Sequence, residues 1–381
     1  MSVAEGANRK PTRLLRLTCG FVLLVILTAG LWPFHAPRNN VQWLSSGDGL
    51  LFGKHGSIVS ARPLEANRSQ PSGSCSVEIW LEPSEVDSKG MVLAFYWPES
   101  GVISFVLRQY QNGLVLEREI RHHAPASGIY VGNVFQGEKP VLLTISSGEA
   151  GTAVYVDGKL VREAADFKLT SHDLSGELVV GNSPVIPYSW SGQINGIAVY
   201  DRGLKAGEVS ASHASWIGGL AKNTDKDKAQ SDGVIALYPF DEGKGNVVHN
   251  QVDSVTNLLI PERFFILHEQ FLQRPWDEFQ PGWHYWKDVG INVAGFIPLG
   301  FFFRMYLSAV KEAKRATRLT IALGFAVSLT IEVLQALLPT RQSGMTDLFT
   351  NTLGTALGAV LCARILETNK LTRAGLLLLV R

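Results

Sequence analysis

The sequence predicts a two-part membrane protein, an all-β sandwich joined to an α-helical bundle of four spans. Three observations predict it. Charge-poor apolar stretches occur at residues 17–34 and again at 289–303, 319–338 and 348–361, as expected of helices that cross about 30 Å of hydrocarbon. Between the first and second of these the pattern changes to short alternating runs broken by Gly, Pro and Asp about every ten residues, which is a sandwich pattern. Charged residues make up only 18% of the 381 residues, against roughly 25% in soluble domains. The net charge of +1 supplies no field that would draw the chain to nucleic acid. The three cysteines, Cys19, Cys75 and Cys362, fit neither a zinc spacing nor a disulfide framework.

Residues 1–16 carry Arg9, Lys10, Arg13 and Arg16 and are expected in the cytoplasm, and 17–34 is expected to be the first span, ending near Trp32. A cleaved signal peptide is the alternative, since it too has a basic start and an apolar core. An extracytoplasmic domain is expected over 38–255. Within it, residues 75–83 place Val77, Ile79 and Leu81 on one face and Ser76, Glu78, Trp80 and Glu82 on the other. Further runs are 90–97, 102–109, 113–121, 139–147, 153–161, 176–181 and 192–201, with Asp157-Gly158 at a position where a tight hairpin needs positive φ. A polar linker at 222–232 precedes FDEGKGNVVHN (240–250), which is expected to contribute a late strand closing the sheet.

A connector over 256–287 is rich in aromatics, among them Phe264, Phe265, Phe271, Trp276, Phe279, Trp283 and Trp286. Such side chains suit the headgroup zone, and a packed interdomain segment is the other reading. Spans two to four occupy 288–366, and 367–381 is a tail. Arg304, Lys311, Lys314, Arg315 and Arg318 lie between spans two and three, and Arg364, Lys370, Arg373 and Arg381 follow span four. The positive-inside rule then places both termini in the cytoplasm and the sandwich outside.

The spans carry polar residues that are costly in hydrocarbon. Glu332 lies seven residues before Pro339, hence about 10 Å inside the boundary at 1.5 Å per residue. Glu332 and Gln335 share a helix face, as do Asp288 with Asn292 and Asp347 with Asn351. Together with Arg341, the expected neutralising partner of Glu332, these seven residues form the candidate membrane pocket. Plainer roles stand beside it. Asp288 and Asp347 suit helix caps, Asn292, Gln335 and Asn351 suit interhelical bonds, and Gly354-x-x-x-Gly358 suits close packing.

Two resemblances follow from these residues. TAVYVDGKLV (152–161), GELVVGN (176–182) and WSGQINGIAVYDRGLKAGEV (190–209) resemble the laminin-G/concanavalin A-like jelly-roll family. That resemblance implies a jelly roll that binds glycans or protein surfaces at its rim, with calcium in some members and glycosidase activity in a few. A glycosidase needs two carboxylates about 5–10 Å apart, yet Glu82 and Glu85 suit a solvated strand end, Asp157 suits a turn and His122-His123 suit the surface. LWPF (31–34), DVGINVAGFIPLGF (288–301) and IEVLQALLPTRQSGMTDLFTNTLGTALG (331–358) resemble the VanZ-like membrane protein family. It implies a link to glycopeptide antibiotic resistance without a defined reaction, and a sandwich inserted between helices one and two.

No GxxxxGK(S/T), HExxH or GxSxG motif occurs, so no catalytic residue is assigned and binding is favoured over catalysis. The expected function is recognition of a carbohydrate or other cell-envelope component by a protein of the cytoplasmic membrane. Membrane lipid is the expected partner of the spans. No cofactor is expected, with calcium in the sandwich left open. The alternatives are a membrane enzyme or transporter acting on a lipid-linked cell-wall substrate through Glu332 and Arg341, and a protein–protein adaptor. Oligomeric state does not follow from the sequence.

Overall fold

The computed structural model describes residues 13–65, 73–120, 127–137, 139–219, 232–268, 271–279, 281–309 and 311–379. His122-His123 and nearly all of the 222–232 linker lie outside them. The chain divides into two compact units, Ala36–His268 and a second built from Met1–His35 with Glu269–Arg381.

The first unit is a sandwich of two eight-stranded sheets with antiparallel ladders. One sheet runs in the order β1 (Val41–Trp43), β2 (Leu50–Phe52), β13 (Gly192–Tyr200), β4 (Cys75–Pro83), β9 (Val141–Gly148), β10 (Gly151–Val156) and β11 (Lys159–Ala164), with β14 (Val234–Tyr238) pairing the far half of β13. The other runs β15 (Val247–Val248), β16 (Leu258–Leu259), β3 (Ile58–Ser60), β12 (Glu177–Val180), β5 (Ser88–Trp97), β6 (Val102–Gln111), β7 (Gly113–Ile120) and β8 (Ser127–Val131). Alternation builds the core between them. Val77, Ile79 and Leu81 meet Phe95, Phe105, Leu107, Leu116 and Ile145, all at most 1% exposed. Trp190 lies in the same core, and its indole N–H donates to Gln109 Oε1 at 2.7 Å. Residues 153–161 are not one strand. They hold the β10–β11 turn, where Asp157 and Gly158 have φ of 49° and 75°.

The unit ends at His268 rather than at 255, because β16 pairs with β3 and Phe264 is buried in the same unit. The late strands serve both sheets: β14 extends the first and β15 edges the second. The two ends of the unit are stitched together. Asn39 N–H donates to the Glu262 carbonyl at 3.1 Å, Phe264 N–H to the Pro37 carbonyl at 3.0 Å, and Asn39 Nδ2 to the Pro261 carbonyl at 2.9 Å.

The face of β4 expected to meet solvent is covered. Helix α1 is the first span (Arg13–Leu31), and α2 (Ala206–Ile217) lies over this sheet. Glu78 is therefore fully buried. Its Oε2 accepts from Tyr200 Oη (2.9 Å), Ser212 Oγ (2.7 Å) and Trp216 Nε1 (3.1 Å), and its Oε1 accepts from Thr144 Oγ1 (3.1 Å). Burial beside this carboxylate holds the Tyr200 hydroxyl well above its ordinary pKa. At the start of α2, Glu208 accepts from the Lys205 N–H at 2.8 Å and pairs with Arg202 at 2.8 Å, which lowers its pKa.

The second unit contains α1, the short α3 (Pro275–Glu278), α4 (Trp283–Ser308), α5 (Ala313–Gln335) and α6 (Met345–Leu379). Among the described residues four helices are long and apolar enough to cross a membrane: Arg13–Leu31, Trp283–Ser308, Ala313–Gln335 and Met345–Thr368. Small residues bring α4 and α6 together. A Cβ on Gly354 would run into the Val293 carbonyl, one on Gly358 into the Ile297 carbonyl, and one on Gly300 into the Thr355 carbonyl. Trp276, Trp283 and Trp286 are exposed, whereas Phe264 and Ile266 belong to the sandwich core, so the expected connector is two different things. Arg304 is not a loop cation either. It is 3% exposed within α4 and its Nε donates to Thr317 Oγ1 at 2.8 Å.

Candidate functional site in the helical bundle

The helices bring four of the seven candidate residues into contact with one another's segments and turn a fifth, Gln335, to the first span. Glu332, on α5, is 1% exposed, and its Oε2 accepts the Gly344 N–H at 2.8 Å. Gly344 immediately precedes α6, so this carboxylate faces the unpaired amides and positive dipole end of that helix. On α4, Asn292 Nδ2 donates to Asp347 Oδ1 at 2.7 Å, tying α4 to the first turn of α6. Asn351 Nδ2 donates to Ser328 Oγ at 3.0 Å, one turn from Glu332 on α5. Gln335 Nε2 donates to the Gly30 carbonyl of α1 at 2.7 Å.

Two residues depart from the expected arrangement. Arg341 does not pair with Glu332: among the described residues its bonds go to backbone carbonyls of the first span, Nη2 and Nε to Trp32 O at 2.6 and 3.1 Å and Nη2 to Ala29 O at 3.5 Å. The guanidinium therefore neutralises the negative end of α1. Asp288 is no helix cap, because α4 begins at Trp283, and it is exposed with no hydrogen bond or ion pair among the described residues.

Glu278 joins the site without having been expected there. It accepts from the Thr346 N–H at 2.9 Å and from the Thr346 hydroxyl. Gln273 adds a bridge to the same loop, its N–H donating to the Ser343 carbonyl and its carbonyl accepting the Met345 N–H, each at 2.9 Å. A Cβ at Gly344 would collide with Glu278 Oε1, so any larger residue there has to displace the Glu278 carboxylate from the Thr346 amide. The residue before α6 is Gly344, which has no side chain to cap the helix, so its first amides are left for distant carboxylates to satisfy.

The site is acceptor-rich. The buried Gln335 Oε1 and Asn351 Oδ1 have no hydrogen-bond partner among the described residues, and Glu278, Glu332 and Asp347 add carboxylates around the same helix start. Such a surface suits a ligand that presents N–H or O–H donors. In the sandwich, Asp157 Oδ1 accepts the Leu142 N–H at 2.9 Å as a turn residue does, and Glu85 is exposed while Glu82 is half-buried on β4.

Residues 232–367 match the VanZ/LLP1 family, and residues 57–210 match the concanavalin A-like lectin/glucanases superfamily. The chain joins a VanZ-like domain to a concanavalin A-like domain. It is a multi-pass membrane protein by its four spans and this match. The VanZ-like match includes strands β14–β16, which the structure places in the sandwich. No curated protein matches the chain.

Among solved structures, the chain is similar to a Bacteroides ovatus protein described as carbohydrate-binding, at 10% identity over 61% of this chain and 62% of that one, with a TM-score of 0.39. It is similar to the receptor-binding domain of botulinum neurotoxin D at 14% identity, 47% and 46% coverage and a TM-score of 0.33. A third is the binding domain of botulinum neurotoxin DC in complex with SialylT, at 13% identity, 47% and 45% coverage and a TM-score of 0.35. The chain thus spans 62% of the first and less than half of the other two.

Proposed function

We propose that this is a cell-envelope protein of the cytoplasmic membrane that recognises a glycan or other envelope component through its sandwich and holds a polar ligand pocket in its bundle. The observation that carries the reading is the union in one chain of a concanavalin A-like domain with four spans, the sandwich falling between the first and second. Both termini are cytoplasmic and the sandwich is extracytoplasmic. Supporting this orientation, Lys311 between α4 and α5 and Lys314, Arg315 and Arg318 in the first turns of α5 are exposed. The pocket comprises Asn292, Glu332, Gln335, Asp347 and Asn351, with Asp288 and Arg341 at its margins. Altered susceptibility to glycopeptide antibiotics is the cellular effect in this reading. An enzyme using Glu332 with Arg341 has less support, since the two residues engage different helices.

A glycan array probed with the full chain in detergent tests the proposal, with one arm in calcium and one in chelator. Retention of a defined glycan class is expected, and equal retention in both arms would remove calcium from the reading. A cooperatively unfolding chain that retains no glycan in either arm overturns the recognition role.

A further inference from the structure

The outward face of α1 is a lane of apolar surface with a cation at its end. Leu24, Val25, Thr28, Ala29 and Trp32 recur at i, i+1, i+4, i+5 and i+8 and, with Arg341, line an open groove of about 530 Å³. Leu24 is 62% exposed and Trp32 65%, so no protein element covers this face among the described residues. From Leu24 to Trp32 the lane runs about 12 Å along the helix axis.

Arg341 is held rigidly there. Its Nε and Nη2 are fixed on the Trp32 and Ala29 carbonyls, and Nη1 has no hydrogen-bond partner among the described residues. A planar guanidinium anchored along one edge presents its remaining N–H groups in a set direction, the geometry that suits a phosphate. The neighbouring Trp32 ring, next to Phe34 at 5.7 Å, marks the depth of the headgroup zone. Cation, depth and apolar lane coincide at the end of one helix.

We infer that the α1 face is a binding site for an anionic phospholipid, one acyl chain lying along Leu24–Ala29–Trp32 and the phosphate on Arg341. The inference is independent of what the sandwich binds, and needs only that α1 spans the membrane. It gives Arg341 a role apart from Glu332: the side chain joins the end of the first span to a lipid headgroup. Snorkelling alone would leave the guanidinium in water, whereas here the protein itself fixes it.

The test uses the full chain, delipidated in detergent, with phosphatidylglycerol, the diacylglycerol of the same chains, and inorganic phosphate as probes, and native mass spectrometry as the readout. The expected result is one phosphatidylglycerol retained per chain, at least tenfold more tightly than diacylglycerol and without competition from millimolar phosphate. Arg341→Gln should abolish the preference for phosphatidylglycerol. Ala29→Phe fills the lane while leaving every carbonyl that holds Arg341, and should weaken retention at least tenfold. If Arg341→Gln does not fold, Ala29→Phe decides alone. Wild-type retention by Ala29→Phe, equal retention of diacylglycerol, or displacement by phosphate would overturn the inference.

Discussion

Replacing Glu78 by alanine and by glutamine should separate two opposing effects at the buried carboxylate. Removing a carboxylate from water costs several kcal/mol, which partners must offset. Glu78 has four, all neutral: the hydroxyls of Tyr200, Ser212 and Thr144 and the Trp216 indole. Alanine strands them. Hydroxyls can rotate to other acceptors, but the indole N–H cannot, and each unsatisfied group costs about 1–3 kcal/mol, so Glu78→Ala should lose about 4 kcal/mol. Glutamine keeps one oxygen for the three donors now on Oε2 and turns its NH₂ toward Thr144, whose hydroxyl can accept. It forfeits charge assistance but also the desolvation cost, so Glu78→Gln should stay within about 1 kcal/mol of wild type. Urea unfolding of residues 36–268, whose two sheets pair only within the unit, measures both. Hydrogen exchange of α2 should accelerate in the alanine variant. A Glu78→Ala loss below about 1 kcal/mol, or a larger loss for glutamine than for alanine, would refute the reasoning.

Because Glu332 and Arg341 contact different segments, a double-mutant cycle of Glu332→Gln and Arg341→Gln should be additive to within about 0.5 kcal/mol in detergent; a coupling of several kcal/mol would show an ion pair. Gly354→Val and Gly358→Val should each push α6 off the α4 carbonyls and cost about 1–3 kcal/mol by overpacking, read as a lowered thermal midpoint. Glu208 has a lowered pKa in the folded state, so its contribution is present above its unfolded value near 4.5 and is lost as pH falls through the lower folded value. Acid titration should loosen the start of α2 over that window, by an amount that Glu208→Gln removes. Lys244→Cys in the sandwich should label from outside intact cells and Lys314→Cys only after permeabilisation, and the reverse pattern would invert the topology.

Legibility in the sequence followed the kind of force at work. Long-range burial reads directly: strand β4 was expected at the same residues it occupies, and the four spans were found because hydrocarbon demands a continuous apolar run. Short strands did not read. β1, β2 and β3 have three residues each, too few for alternation to register, and they exist because neighbouring strands supply the ladder. The polar face of β4 was misjudged because α2, which covers it, lies more than a hundred residues later in the chain. In the bundle, residue types did not reveal their partners. Glu332 attracts a cation in any pattern-based reading, yet a helix start presents free amides to an acid equally well, and only the turn at Gly344 decides between them. Glu278 escaped notice for the same reason, since its importance lies in the amide it meets.

The sandwich leaves and rejoins the chain at neighbouring points, where Asn39 bonds to Glu262 and Phe264 to Pro37. To the helices on either side, such a domain behaves as a short tether, because closing the connection has already been done inside the sandwich by its own backbone bonds. A hairpin of the same reach would join the two spans as well as this module does, without shifting the register of either helix.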